Sequence, residues 1–254
     1  MANSLHTTPF IITDRSSQNK FHAPFTRNTS RFPVNLKDGC EQPRIFPRKK
    51  LITVSAISDS PGIVSPSTSE DTPNLLNKVN VFDLDGRAIL ISDLWKDRRA
   101  VVAFARHFGC VFCRKRADYL ASVKDKFDAA GVALILIGPG KVEQAKAFVE
   151  QTNFKGEVYS DPSHASYEAL SFVSGILTTF TPKAGLKIIQ LYQEGYRQDW
   201  ELSFDKDTRT RGGWQQGGII VAGPGKDNIL YIHKDKEAGD DPDIKDILEA
   251  CCSS

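Results

Sequence analysis

Two wholly apolar runs, Ala100-Val101-Val102-Ala103-Phe104-Ala105 and Val132-Ala133-Leu134-Ile135-Leu136-Ile137, bracket a stretch that opens on Cys110-Val111-Phe112-Cys113. Neither run alternates with polar residues, so each reads as a strand covered on both faces. Between them Cys113, Ala117, Leu120, Ala121, Phe127 and Ala130 recur at helical spacing, ending at Gly131, a usual residue just past a helix. Strand, crossover helix, strand is a parallel pair with a right-handed connection. Two thiols therefore stand where a central strand gives way to a helix, in a layered α/β fold.

The flanking pattern extends this frame. Val79 to Phe82 and Ala88 to Ile91 surround Asp83-Leu84-Asp85-Gly86-Arg87 and predict an opening hairpin. Lys141 to Gln151 is helical by its apolar spacing, Val158-Tyr159-Ser160 is a short strand, and Asp161-Pro162 opens a short helix through Tyr167 and Leu170. Pro182 to Tyr192 is a helix inserted before the last strands. Ile219 to Ala222 and Ile229 to His233 flank Gly223-Pro224-Gly225 as an antiparallel pair, and Ile244 to Ala250 is a closing helix. Parallel strands followed by an antiparallel hairpin and a helix are the thioredoxin-like order, a central mixed sheet flanked by helices. Gly138-Pro139-Gly140-Lys141 and Gly223-Pro224-Gly225-Lys226 lack phosphate-loop spacing and read as turns.

The start of the chain has another character. Residues 1–56 hold nine Lys or Arg against three Asp or Glu, so a whole-chain net charge of +2 hides a leader of +6 and a remainder of −4. A basic, Ser-rich, acid-poor leader that begins uncharged at Met1-Ala2-Asn3-Ser4 is the composition of a disordered chloroplast transit peptide, with Val54-Ser55-Ala56 as the processing site. Residues 57–77, rich in Ser, Pro, Asp and Thr, read as a flexible linker, and 78–254 as the folded domain. No run of about 18 apolar residues offers a membrane span.

A thiolate is the reactive form of cysteine, and the amides and positive dipole at a helix start favour it. Cys110, Cys113, Ala117 and Leu120 share one helical stripe, with Cys110 placed at its rim and Cys113 deeper. Two sulfurs three positions apart can close a disulfide, so one can attack a substrate and the other resolve the product. Arg106, His107, Arg114, Lys115 and Arg116 add positive charge around this turn. A zinc site would need a second ligand pair of comparable spacing, which the adjacent Cys251-Cys252 does not supply, and buried, inert core cysteines are the other reading. Cys251 and Cys252, among the last four residues, read as exposed and inert, with a resolving role as the alternative.

The body from about Val79 to Ala250 resembles an AhpC/TSA-type antioxidant domain of the peroxiredoxin-like 2 family, in the thioredoxin superfamily, and its chloroplast thioredoxin-like members. The residues that carry the resemblance are Arg106-His107-Phe108-Gly109-Cys110-Val111-Phe112-Cys113-Arg114, Trp214-Gln215-Gln216-Gly217-Gly218, Gly223-Pro224-Gly225 and Ile232-His233-Lys234-Asp235-Lys236. It implies a thiol-disulfide or peroxide oxidoreductase of the plastid stroma acting through Cys110 and Cys113. Arg106, His107, Arg114, Trp214 and Gln216 would support that pair. It also implies a small peroxide or disulfide substrate and a thiol electron donor such as a thioredoxin or glutathione system, with no bound cofactor, metal or nucleic acid. Aligned as a thioredoxin, Cys110 attacks and Cys113 resolves; aligned as a peroxiredoxin, whose Pro, Thr and Cys places are taken by Arg106, Cys110 and Cys113, the order reverses. Gly217-Gly218 stands where a thioredoxin places its cis-proline. A redox-sensing or scaffold module that turns nothing over is the alternative function.

Overall fold

The computed structural model describes residues 71–252. The leader, its Cys40, the processing site and the linker up to residue 70 lie outside the described residues. The chain runs through α1 (Asp71–Leu76), β1 (Asn80–Phe82), β2 (Ala88–Leu90), a 3-10 turn at Ile91–Trp95, β3 (Ala100–Phe104), α2 (Val111–Ala121), α3 (Lys124–Ala129), β4 (Ala133–Pro139), α4 (Val142–Gln151), β5 (Glu157–Asp161) and α5 (Ala165–Ala169). Next come α6 (Ile176–Thr179), α7 (Pro182–Gln193), α8 (Trp200–Phe204) and a π turn at Thr208–Gly212. Then β6 (Gly218–Ala222), β7 (Ile229–Lys234) and α9 (Ile244–Cys252) close the fold.

The strands form one mixed sheet in the order β2-β1-β5-β4-β3-β6-β7, with β3, β4 and β5 parallel and the other pairings antiparallel. β3 lies inside it, paired with β4 on one side and β6 on the other. Side chains on a strand alternate between faces, and here both faces are covered. Val101 and Ala103 pack with Leu120, Phe127, Phe148 and Ile247, while Val102 and Phe104 pack with Trp95, Ile135, Ile137 and Tyr167. Double coverage explains why these strands read as unbroken apolar runs. The thioredoxin-like arrangement of the sheet and helices is present.

Two boundaries differ from the sequence pattern. Residues 71–76, within the expected linker, form α1, and Leu76 is fully buried against the core. Their Asp, Pro and Asn content masks one leucine with enough apolar surface to hold the segment down. The apolar periodicity over 113–130 is continuous, yet the backbone breaks between α2 and α3, where Ser122 Oγ donates to the Tyr119 carbonyl and Val123 leaves helical geometry at φ −112°.

A buried ion pair ties α2 to the end of β7. Arg116 Nη2 lies 2.9 Å from both carboxylate oxygens of Asp235, and its Nε lies 2.6 Å from Asp241 Oδ1. Neither Arg116 nor Asp235 is more than marginally exposed, so removing one charge strands the other away from water. Asp235→Asn is therefore expected to lower the unfolding free energy by about 3 kcal/mol. Paired with Arg116→Met it should cost less than alone, as urea denaturation of the single and double variants would measure.

Candidate active site

β3 delivers the chain to the site. Past Phe104, the Ala105 amide still bonds to the Ile137 carbonyl at 2.8 Å, and residues 106–109 then turn so that the Cys110 amide meets the His107 carbonyl at 3.1 Å. Cys110 is the N-cap of α2, in an extended conformation, and Cys113 follows within the first turn. Both cysteines are free and buried, Cys110 at 1% exposure and Cys113 at 4%. The expected rim position of Cys110 is thus corrected, because a later segment of the chain covers it.

That cover is the stretch leading into α8. Gln198 Oε1 accepts from the Val111 amide at 2.9 Å, using a donor that the helix start leaves free. The Asp199 amide donates to the Gly109 carbonyl at 3.0 Å, and Asp199 Oδ2 lies 3.3 Å from Arg114 Nη2. Asp199 also caps α8, accepting from the Leu202 amide at 2.9 Å. The approach at Gly109 is close enough that a Cβ there would stand 2.6 Å from the Asp199 carbonyl oxygen, so only glycine fits beneath the cover.

Arg106 is the residue that reaches both sulfurs. Its main-chain amide donates to Cys113 Sγ at 3.1 Å, and its Nη1 lies 3.6 Å from Cys110 Sγ. The guanidinium is held in place by the Gln215 carbonyl at 3.2 Å, Thr179 Oγ1 at 3.2 Å and the Gly213 carbonyl at 3.3 Å. Gln216, fully buried, donates to the same Thr179 hydroxyl at 3.0 Å. Gly217 brings the chain against the Phe104 carbonyl oxygen, where a Cβ would collide.

These contacts make the two thiols unequal. Burial opposes charge on Cys110, but hydrogen bonding from the Cys113 thiol and the Arg106 charge outweigh it, so its pKa falls well below the ordinary thiol value. Burial and the neighbouring Cys110 thiolate push Cys113 in the opposite direction. Burial likewise drives the His107 imidazolium down to about 4, leaving a neutral ring at neutral pH.

Beside the pair lies a cavity of about 320 Å³ with walls of Phe112, Phe180, Trp200, Phe204 and Trp214, into which Arg106 and His107 also face. Trp200 stacks on Phe204 with ring centroids 5.6 Å apart, and Trp214 packs against Phe180 at the same separation. Of the residues named from sequence, Arg106, His107 and Trp214 line this cavity, while Cys110, Cys113 and Gln216 are tied to it through Arg106 and Thr179. Arg114 and Lys115 are paired with Asp199 and Glu194, and Arg116 with Asp235, so each is held in the scaffold beside the site. Thr179, Gln198, Asp199 and Ser203 were not legible as site residues, since each is far from the cysteines in the chain. Cys251 and Cys252 sit at the opposite end of β3, where Arg99 Nη1 holds the Cys251 carbonyl at 3.0 Å. Cys251 is buried rather than exposed, and burial together with its hydrogen bond to Cys252 pushes its pKa up to about 12.

Residues 119–237 match a family model described as AhpC/TSA antioxidant enzyme, a match that begins after the thiol pair. The chain is 66% identical over 206 residues to thioredoxin-like protein AAED1, chloroplastic, of Arabidopsis thaliana, covering 81% of this chain and 82% of that one. It is 30% identical to peroxiredoxin-like 2C of Mus musculus, over 66% of this chain and 75% of the relative. It is also 30% identical to prostamide/prostaglandin F synthase of Salmo salar, over 70% and 84% respectively.

Two outcomes test this geometry. Arg106→Met removes the cation beside Cys110, and titration of thiolate ultraviolet absorbance should show the lower midpoint rising by about one pH unit or more. His107 binds a proton more readily unfolded, near pH 6.5, than folded, near 4, so the stability it contributes is complete above 6.5 and is lost as pH falls towards 4. Between pH 7.5 and pH 5 this amounts to about 2 kcal/mol, a fall that urea denaturation should find in the native protein and not in His107→Phe.

Proposed function

Because the chain belongs to the peroxiredoxin-like 2 family of thioredoxin-fold redox proteins, we propose that it is a thiol-dependent peroxide reductase in which Cys110 attacks and Cys113 resolves. The observation that carries this reading is the asymmetry of the pair, with the Arg106 guanidinium 3.6 Å from one sulfur and only a main-chain amide on the other. The Cys110 thiolate attacks the terminal oxygen of a hydroperoxide. A sulfur–oxygen bond forms, the oxygen–oxygen bond breaks, and the departing alkoxide takes a proton from water.

Cys113 is held protonated while Cys110 is charged. Once Cys110 becomes a neutral sulfenic acid, that repulsion disappears, and the Arg106 amide and the nearby Arg116 charge favour a Cys113 thiolate. It attacks the Cys110 sulfur, closing the disulfide as hydroxide leaves and is protonated to water. An external dithiol of the thioredoxin class, or two molecules of glutathione, then supplies the two electrons and two protons that return both sulfurs to thiols, and leaves as a disulfide. The aromatic walls of the cavity favour an organic peroxide over hydrogen peroxide, since burying apolar surface contributes roughly 25 cal/mol per Å². The plastid, and its stroma, is the location we propose, in line with the leader composition and the chloroplastic name of the Arabidopsis relative.

The burial of both thiols also supports the second reading, a sensor that is oxidised once and changes partners. Exposure of Cys113→Ser to cumene hydroperoxide should leave a sulfenate on Cys110. A sulfenate found instead on Cys113 in Cys110→Ser would reverse the order of attack. With a dithiol in excess, the native protein should consume many equivalents of hydroperoxide, whereas consumption that stops at one equivalent would establish the sensor.

A further inference from the structure

β3 has an arginine near each end, and each arginine stands beside a pair of cysteines. Arg106 serves the pair already described. Arg99 precedes the strand, and its Nη1 holds the Cys251 carbonyl at 3.0 Å. Cys251 Sγ lies 3.1 Å from Cys252 Sγ and 3.8 Å from the Leu248 carbonyl oxygen. Cys251 is fully buried, in the cluster that holds Ile247 and Val101, whereas Cys252 is half-buried. A reagent therefore reaches this pair through Cys252 first.

Two thiols supply only half of a zinc set, and among the described residues no cluster of three His, Cys, Asp or Glu is present to complete one. The chemistry open to the pair is exchange with another disulfide. Successive side chains on an α-helix diverge by about 100°, yet these two sulfurs meet. The Cα atoms of neighbouring residues are about 3.8 Å apart, below the roughly 4.4–6.8 Å of ordinary disulfides, so a bond between them is strained and easily reduced. α9 ends at Cys252, so the peptide joining the two can leave helical geometry without breaking a turn beyond it.

We propose that Cys251 and Cys252 form a second dithiol–disulfide site, independent of Cys110 and Cys113, that exchanges with small disulfides of the glutathione class. The Cys252 thiolate attacks the small disulfide. Its sulfur–sulfur bond breaks, a mixed disulfide forms on Cys252, and the first small thiolate leaves and is protonated. While Cys252 is charged, burial and that neighbour hold Cys251 protonated, with its pKa pushed up to about 12, and the mixed disulfide removes the charge. Cys251 then gives its proton to water and attacks the Cys252 sulfur, closing the vicinal disulfide as the second small thiolate leaves. Two electrons pass from the protein pair to the small disulfide, which becomes two thiols. The Cys251 carbonyl turns with its peptide, so closure loosens the bond to Arg99. The strained product reopens when thiols again exceed disulfides, and the pair follows the glutathione balance whatever the state of Cys110 and Cys113.

Trypsin separates the two pairs, since Cys110 and Cys113 fall in peptide 107–114 and Cys251 and Cys252 in peptide 246–254. The full native chain is equilibrated in a series of reduced and oxidised glutathione buffers, its free thiols are alkylated, and its tryptic peptides are weighed by mass spectrometry. Peptide 246–254 should lose two hydrogens as oxidised glutathione rises and regain them when the buffer is made reducing. Cys251→Ser should stop at a glutathione adduct on Cys252. Cys252→Ser, whose remaining sulfur is buried, should take up glutathione at least about tenfold more slowly than Cys251→Ser. A peptide 246–254 that stays reduced across the series, or that holds the adduct without closing, would overturn the inference, as would a link between the 246–254 peptides of two chains. These outcomes are read on the native protein, so the folding of a variant does not decide them. Peptide 107–114 is scored in the same digest: its oxidation beside an unchanged 246–254 sinks the second site alone, and the reverse counts against the proposed function while leaving this site standing.

Discussion

Arg106 bonds one sulfur through its backbone and reaches the other through its side chain, and the remaining site geometry follows from holding both contacts at once. The backbone contact fixes where the chain leaves β3. The side-chain contact requires the guanidinium to fold back to where Thr179, Gly213 and Gln215 clamp it. A free arginine beside a thiol would be hydrated and mobile, and its charge would act weakly through water. Clamped and dehydrated, it presents its guanidinium to Cys110 and its main-chain amide to Cys113, three residues away.

The scaffold explains why this clamp does not relax. β3 is held on both edges and packed on both faces, so the loop after it has a rigid origin. α2 is anchored at its cysteine-bearing end by Gln198 and further along by the Arg116 pair with Asp235 and Asp241. Buried charges of this kind contribute little net stability, but they make one arrangement of α2 against β7 far better than its neighbours. The sulfur positions inherit that definition.

Much of this was legible in the chain itself, for a physical reason. The strands β3 and β4, the helix start and the spacing of Cys110 and Cys113 are local patterns, set by residues within a few positions of one another. Arg106 stood out through its charge, and its Nη1 lies 3.6 Å from Cys110 Sγ. The partners of Arg114 and Arg116 were not legible, because nothing local announces that Asp199 or Asp235 will arrive from elsewhere in the chain. Thr179 and Gln198 were silent for the same reason, lying 73 and 87 residues from the groups they bind. Leu76 was hidden by the polar residues around it, and Cys251 by the general rule that chain ends are exposed.

The cover over Gly109 also divides the cycle into two unlike halves. On the proposed reading, a slim peroxide would approach the pair along the aromatic walls, past Arg106, with the cover in place. A protein donor, on the same reading, would be too bulky to touch a sulfur sealed in this way while the Gln198 and Asp199 bonds hold. Oxidation would then be governed by diffusion into a slot, and recycling by the strength of a latch.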